Sequence, residues 1–218
     1  MFYAFWRTVI VSLARLLFGV RVRGRDRVPK SGNFILAPSH RSTLDIPLAA
    51  AVTTRRMRFM AKRELWHGKL WSWVFDELGA VPVDRDGGDR AALRVLEAAL
   101  AGGEPIVVFP EGTRREGSEL GPLFSGASYL ALKQGVPIVP VGIGGSEALV
   151  VRRWGIPWLS RVCVIVGDPI ECKRTDGTIK RSLIAATDDE LRARLQMCFD
   201  DARQWSAVRS DGQSGERV

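Results

Sequence analysis

Phe34-Ile35-Leu36-Ala37-Pro38-Ser39-His40-Arg41-Ser42-Thr43-Leu44-Asp45-Ile46-Pro47 passes from an apolar run, through a polar turn, back to apolar residues. The run predicts a strand, and a strand that ends in such a turn delivers side chains to a sheet edge, where functional groups collect. The residues after Asp45 (47–52) predict a short helix. Only two histidines occur in the 218 residues, and His40 lies within this turn. Histidine titrates nearest neutral pH, and a carboxylate beside it fixes its tautomer and stabilises its protonated form. His40 and Asp45 therefore read as a general base with its orienting acid, although that spacing alone is common.

A second strand and loop follow the same plan. Pro105-Ile106-Val107-Val108 is a short β-branched run typical of a buried parallel strand, and it leads into Phe109-Pro110-Glu111-Gly112-Thr113-Arg114. Gly112 lets backbone approach a ligand. Arg114 carries a planar fork of donors suited to phosphate, and Glu111 either holds that fork or meets a substrate hydroxyl. The plainer alternative is a surface turn in which Glu111 and Arg114 pair with each other. Gly79-Ala80-Val81-Pro82-Val83-Asp84-Arg85 is another short strand, ending in Arg85. Residues 136–143 form a further apolar strand, whose prolines predict a bulged or edge-like segment.

Around these strands the chain alternates. Short strands are expected at 20–24, 57–61 and 162–166, and a Trp-rich helix at 64–78. Residues 91–100 predict a helix with Leu93, Val95, Leu96 and Leu100 facing inward, stopped by Gly102-Gly103. Another helix covers 125–134, ended by Gly135. Thr187-Asp188-Asp189-Glu190 reads as a capping box opening a helix with Leu191, Leu195, Cys198, Phe199 and Ala202 on one face. This alternation predicts an α/β fold with a largely parallel central sheet flanked by helices.

The order of these blocks carries a resemblance. His-x4-Asp, an Arg at a strand end, Phe-Pro-Glu-Gly-Thr-Arg and Val-Pro-Ile-Val-Pro-Val, spanning residues 39–143, resemble the glycerolipid acyltransferases, which include the 1-acylglycerol-3-phosphate and glycerol-3-phosphate acyltransferases. The resemblance implies transfer of an acyl group from a thioester, on coenzyme A or acyl carrier protein, to a hydroxyl of a phosphorylated glycerol, with lysophosphatidate as the first choice of acceptor. Glycerol-3-phosphate, a lysophospholipid and a glycolipid are the alternatives. On this reading His40 takes the hydroxyl proton, Asp45 orients it, and Arg85 and Arg114 bind the phosphate in a pocket shaped by Glu111, Gly112 and Thr113. Backbone N–H groups near Gly112 or after Asp45 would serve the oxyanion. No cofactor and no metal are implied. The chain departs from the family pattern at Ser39, where Asn is common, at Arg115, and in Leu123-Phe124-Ser125-Gly126-Ala127, which lacks the usual lysines. A thioesterase and a catalytically silent lipid-binding protein on the same scaffold are the competing readings. An acyl chain would need an apolar groove near His40, for which the helix after Asp45 and the 64–78 helix are candidate walls.

Composition narrows the partners. Cys163, Cys172 and Cys198 are odd in number without Cys-x-x-Cys spacing, which argues against a disulfide framework or zinc site and for a reducing compartment. The formal charge of +8 calls for anions. Arg55, Arg56, Arg58, Lys62 and Arg63 form one cluster, and Arg152, Arg153 and Arg161 another. Nearby tryptophans and the absence of a nucleic-acid motif favour a phospholipid surface and coenzyme A phosphates over nucleic acid. Residues 2–18 are strongly apolar, with Arg7, Thr8, Ser12 and Arg15 within an arc of about 140°. This predicts an amphipathic helix at the membrane interface, too short and charged for a span. Covering the protein's own sheet is the competing role. The expected organisation is an interfacial helix (1–20), an acyltransferase domain (21–208) and a flexible tail (209–218), placed peripherally or monotopically on the cytoplasmic face of the membrane.

Overall fold

The computed structural model describes residues 2–83, 89–147 and 161–211. Among these, the strands β1 (Arg21–Arg23), β2 (Ile35–Pro38), β3 (Arg58–Lys62), β4 (Ala80–Val83), β5 (Ile106–Val107), β6 (Ile138–Gly144) and β7 (Cys163–Val166) form one seven-stranded sheet in the order β1-β7-β6-β2-β5-β3-β4. Its pairs are parallel except β6–β7, so the fold is the expected α/β sheet. Six α-helices lie among the described residues: α1 (Phe2–Phe18), α2 (Asp45–Ala49), α3 (Gly68–Leu78), α4 (Asp89–Ala101), α5 (Gly126–Gln134) and α6 (Arg181–Asp211).

Strand alternation divides the core. Phe34, Leu36, Val107, Val139 and Val141 face a layer containing Ala14, Leu48, Ala49 and Val52 from α1, α2 and the chain just beyond. Ile35, Ala37, Ile106 and Ile138 face Leu96, Leu100, Leu130, Ala131 and Leu191 from α4, α5 and α6. Both faces of the central strands are covered, which is why they read as continuous apolar runs.

Several elements differ from the sequence expectation. Of the two expectations for the strand at 136–143, bulged or edge-like, the first holds, because β6 is internal, between β7 and β2. Pro140 is tolerated because the β6–β7 ladder is interrupted beside it. From the Val141–Val166 pair to the Ile138–Ile170 bridge, β6 advances three residues and its neighbour four. That extra residue is the bulge a proline requires. The helix α6 begins at Arg181, six residues before Thr187, so no capping box opens it. The Thr187 hydroxyl instead donates to the Leu183 carbonyl at 2.9 Å, satisfied inside the helix. The inward residues 191, 195, 198, 199 and 202 are buried as expected. On α4, Leu96 and Leu100 are buried, but Val95 is exposed, a quarter-turn off that stripe. The expected 64–78 helix is a 3-10 turn at Arg63–Leu65 followed by α3. Helix α6 also continues to Asp211, into the expected tail. The basic cluster around residues 152 and 153 lies outside the described residues.

Helix α1 does not present one polar and one apolar face. Val11 and Ala14 are buried against the body, and Arg7 turns inward with them. Its Nε donates to the carbonyls of Ala50 (3.1 Å) and Thr53 (2.7 Å), and the Tyr3 hydroxyl donates to the Arg55 carbonyl. Phe5, Val9, Leu13 and Leu16 point outward and are exposed. Thr8, Ser12 and Arg15 form a separate exposed band. No helix among the described residues is long and apolar enough to cross a membrane. The thiols of Cys172 and Cys198 are buried, and burial pushes both up to about 11.

The closest packing joins β6 to α6. A Cβ added at Gly142 would fall onto the Cys198 carbonyl, and one at Gly144 onto the backbone of Ala202. Both obstacles are helix backbone, which cannot move aside as a flexible side chain could. Gly142→Ala should therefore lower the unfolding free energy by roughly 3 kcal/mol or leave the chain insoluble. Unchanged urea and thermal transitions would show that this contact relaxes.

Candidate active site

Strands β2 and β5 are parallel neighbours, so the two motif-bearing loops leave the same edge of the sheet. The carboxyl ends of the central strands in an open α/β sheet are where ligand sites form. Ser39 anchors the first loop: its N–H donates to the Val141 carbonyl, and its Oγ accepts from the Ile143 N–H, at 2.9 and 3.0 Å. The departure from the family's usual Asn is thus a buried link between β2 and β6.

The turn brings His40 and Asp45 together. His40 Nδ1 lies 3.1 Å from Asp45 Oδ2. The same oxygen accepts the N–H groups of Arg41 (2.6 Å) and Ser42 (2.7 Å). An ionised carboxylate only accepts, so this geometry assigns the Nδ1 proton to the histidine and leaves Nε2 as the basic nitrogen. Nε2 has no hydrogen-bond partner among the described residues. The Asp45 side chain is fully buried while that of His40 is 15% exposed, so the acid is shielded and the base is reachable. The Phe109 ring packs beside the imidazole, with centroids 4.3 Å apart.

Glu111 occupies a different place from the one the sequence suggested. It is fully buried, and among the described residues it pairs with Arg41 and not with Arg114. Oε1 accepts from the His40 N–H at 3.0 Å, and Oε2 from the Gly121 N–H at 3.0 Å. Arg41 Nη1 bonds both oxygens, at 3.0 and 2.8 Å. Arg41 also donates to the carbonyls of His40 and Glu119, and its guanidinium sits 4.5 Å above the Phe199 ring of α6. The residue missed in the sequence is therefore Arg41. Its signal was an arginine directly after the candidate base, inside the turn and beside a loop carrying a carboxylate.

Gly112 has φ 65°, and a Cβ there would meet the Phe124 ring at 2.7 Å. The turn needs glycine for both reasons. Its N–H donates to the Phe109 carbonyl, which removes it as a free oxyanion donor. In the first loop, the N–H groups of Arg41, Ser42, Leu44 and Asp45 are all bonded. That of Thr43 has no partner among the described residues. Thr113 and Arg114 are exposed, and Arg114 Nη1 reaches Thr43 Oγ1 at 3.4 Å. Arg85 lies outside the described residues. Strand β4, which precedes it, ends at the same sheet edge, two strands from β5.

An apolar pocket of about 280 Å³ adjoins the turn. Thr43, Ile46, Pro47 and Ala50 form its wall on the His40 side. Leu65, Phe75 and Leu78 form the opposite wall, and Phe59 and Ala61 of β3 contribute the floor. The two walls expected from the sequence therefore do line one cavity. Helix α1 adds Tyr3, Arg7 and Ile10.

Comparison with known proteins agrees with this arrangement. Residues 19–144 match the family described as Acyltransferase, and the chain belongs to it. It is accordingly an enzyme of acyl transfer. It is similar to a 1-acyl-sn-glycerol-3-phosphate acyltransferase of Bacillus subtilis (strain 168), 26% identical over 196 residues, covering 89% of this chain and 95% of the relative. The Homo sapiens 1-acyl-sn-glycerol-3-phosphate acyltransferase alpha is 35% identical over 135 residues, covering 58% of this chain and 47% of its own. Among solved structures, the 1-acyl-sn-glycerophosphate (LPA) acyltransferase PlsC from Thermotoga maritima superposes with a TM-score of 0.67 at 26% identity, covering 89% of this chain and 80% of that one.

Removing one member of a buried ion pair strands the other's charge, at a cost of about 3–5 kcal/mol. Arg41→Met should lower the unfolding free energy by about that much. A loss below about 1 kcal/mol in urea denaturation would mean that Glu111 is held adequately by its backbone donors alone.

Proposed function

We propose that the enzyme acylates the free hydroxyl of 1-acyl-sn-glycerol-3-phosphate, using acyl-coenzyme A or acyl carrier protein as donor. The observation that carries this reading is the His40–Asp45 pair, set in a turn whose Thr43 also lines an apolar pocket. The names of the relatives support the choice of acceptor. The acyl chain would lie in the pocket with its thioester at the turn. His40 Nε2 removes the acceptor hydroxyl proton as that oxygen attacks the thioester carbonyl, and Asp45 holds the imidazolium that forms. The free Thr43 N–H is the donor placed to meet the developing oxyanion. The tetrahedral adduct then expels the thiolate, which takes the proton from His40 and leaves as free thiol. A thioester is already activated, so the sequence of steps calls for no cofactor and no acyl-enzyme.

Arg114, exposed beside Thr43, and Arg85, beyond the end of β4, are assigned to the acceptor phosphate. The outward apolar stripe of α1, with Leu70, Trp71 and Trp73 exposed on α3, is assigned to the membrane interface on the cytoplasmic side, where acyl thioesters and anionic lipid meet.

Release of free coenzyme A from palmitoyl-coenzyme A should require lysophosphatidate, and His40→Ala should lower kcat at least about 100-fold with the fold retained. Release without any acceptor would make the protein a thioesterase, and dependence on glycerol-3-phosphate would replace the acceptor. Arg114→Gln should raise KM for lysophosphatidate by about tenfold or more while sparing KM for the thioester. The reverse split would move Arg114 to the donor site.

A further inference from the structure

A second cleft, of about 270 Å³, lies where α1 crosses the chain between β1 and β2. It is lined by Arg7, Arg25, Lys30 and Arg55, together with Thr53 and Thr54, and by no carboxylate. These cations come from three stretches of the sequence, Arg7, Arg25 with Lys30, and Arg55, which meet in the folded chain. Three of them are held in place through neutral carbonyls: Arg7 on Ala50 and Thr53, Arg25 on Ala51, and Arg55 on Pro29. Arg55 is further steadied over the Phe34 ring, 5.3 Å from its centroid. Carbonyls satisfy donors but do not cancel charge. None of the four makes an ion pair among the described residues, whereas the neighbouring Arg58 and Lys62 are paired with Glu104 and Glu64.

The cost of this assembly is visible in its titration. Burial pulls Arg7 and Arg25 below the ordinary arginine value; Tyr3 partly offsets this at Arg7, while Arg15 and then Arg7 add to it at Arg25. Fixed guanidinium groups around an opening, with hydroxyls beside them and no counter-charge, match a phosphate ester.

We propose that this cleft binds a phosphate group, that of an anionic phospholipid headgroup, at a site that shares Arg7 with the apolar pocket and includes no residue of the His40 turn. The lipid source follows from α1, which sends Arg7 into the cleft and exposes Phe5, Val9, Leu13 and Leu16 on its other side. One helix thereby couples apolar contact with the bilayer to recognition of a charged headgroup. Phosphate on coenzyme A shares the chemistry, and the experiment separates the two sources.

The test is co-sedimentation of the full-length protein with vesicles of phosphatidylcholine alone or with added phosphatidylglycerol. The variants are Arg25→Gln with Arg55→Gln, and a charge-matched control, Lys173→Gln with Arg174→Gln, away from the cleft. Circular dichroism and thermal unfolding confirm that each is folded. The wild type should prefer anionic vesicles, and the cleft variant should lose roughly fivefold per arginine on them, at unchanged affinity for neutral vesicles. The control should lose little. Equal loss in the control would assign the preference to net charge and overturn the site. A rise in KM for acyl-coenzyme A with lipid binding intact would give the cleft to the donor phosphates and overturn the lipid assignment. Vesicle binding is read without catalysis, so it stands or falls independently of the acyl-transfer reading.

Discussion

The buried ion pair between Arg41 and Glu111 is the contact on which the site depends. Two charges are taken fully out of water, and such a pair persists only when its geometry satisfies nearly every remaining donor and acceptor. Here Glu111 takes two backbone N–H groups besides the guanidinium, one of them from His40 itself. The carboxylate on the β5 loop therefore sets the backbone position of His40 on the β2 loop. The arrangement requires β2 and β5 to be adjacent and parallel, which makes sheet order a condition of the chemistry rather than its backdrop. It also requires α6. Glycines at 142 and 144 let that helix lie directly on β6, and the approach brings the Phe199 ring beneath Arg41. A low-polarity wall at that point strengthens the pair and keeps water from competing for it.

Asp45 is held by the same logic at closer range. One carboxylate oxygen gathers the His40 ring and two N–H groups of its own turn, so the Asp45 carboxylate cannot swing away from the imidazole. The turn is thus preorganised twice, once from within by Asp45 and once from the neighbouring loop by Glu111. Among the described residues the outer imidazole nitrogen and the Thr43 N–H have no partner, and Arg114 stands exposed beside Thr43. The apolar pocket takes one wall from α2, which also builds the core through Leu48 and Ala49, and the other from Leu65 and α3, which bury no residue fully.

Helix α1 shows how charge placement departs from simple amphipathicity. An arginine on the inward side of a surface helix is costly unless backbone acceptors meet it, and the carbonyls of residues 50 and 53 do so. With Arg7 accommodated inward, the outward side is left to aromatic and aliphatic residues. The basic cluster seen along residues 55–63 is taken apart in the fold, into ion pairs, carbonyl contacts and one member of a different cationic cleft.

The sequence by itself determined the strands of the α/β sheet, the His40–Asp45 pair and the two walls of the apolar pocket. Each rests on local pattern: a β-branched run, a five-residue spacing within one turn, or an apolar segment beside it. Local pattern misplaced the start of α6, because a Thr-x-x-Glu signature also fits inside a helix when the hydroxyl bonds back to a carbonyl. It left β6 open between a bulged and an edge-like strand, because the bulge that accommodates Pro140 lies in the segment following β7. Only the tertiary structure decided that Glu111 is an internal strut, that Arg41 is its partner, and that Arg7, Arg25, Lys30 and Arg55 share one cleft. Arg41 and Glu111 lie 70 positions apart, and the cleft joins three stretches of chain, at residue 7, at 25–30 and at 53–55. The physical reason is that a charge declares its role through the groups it meets and the water it loses, and both are set by packing.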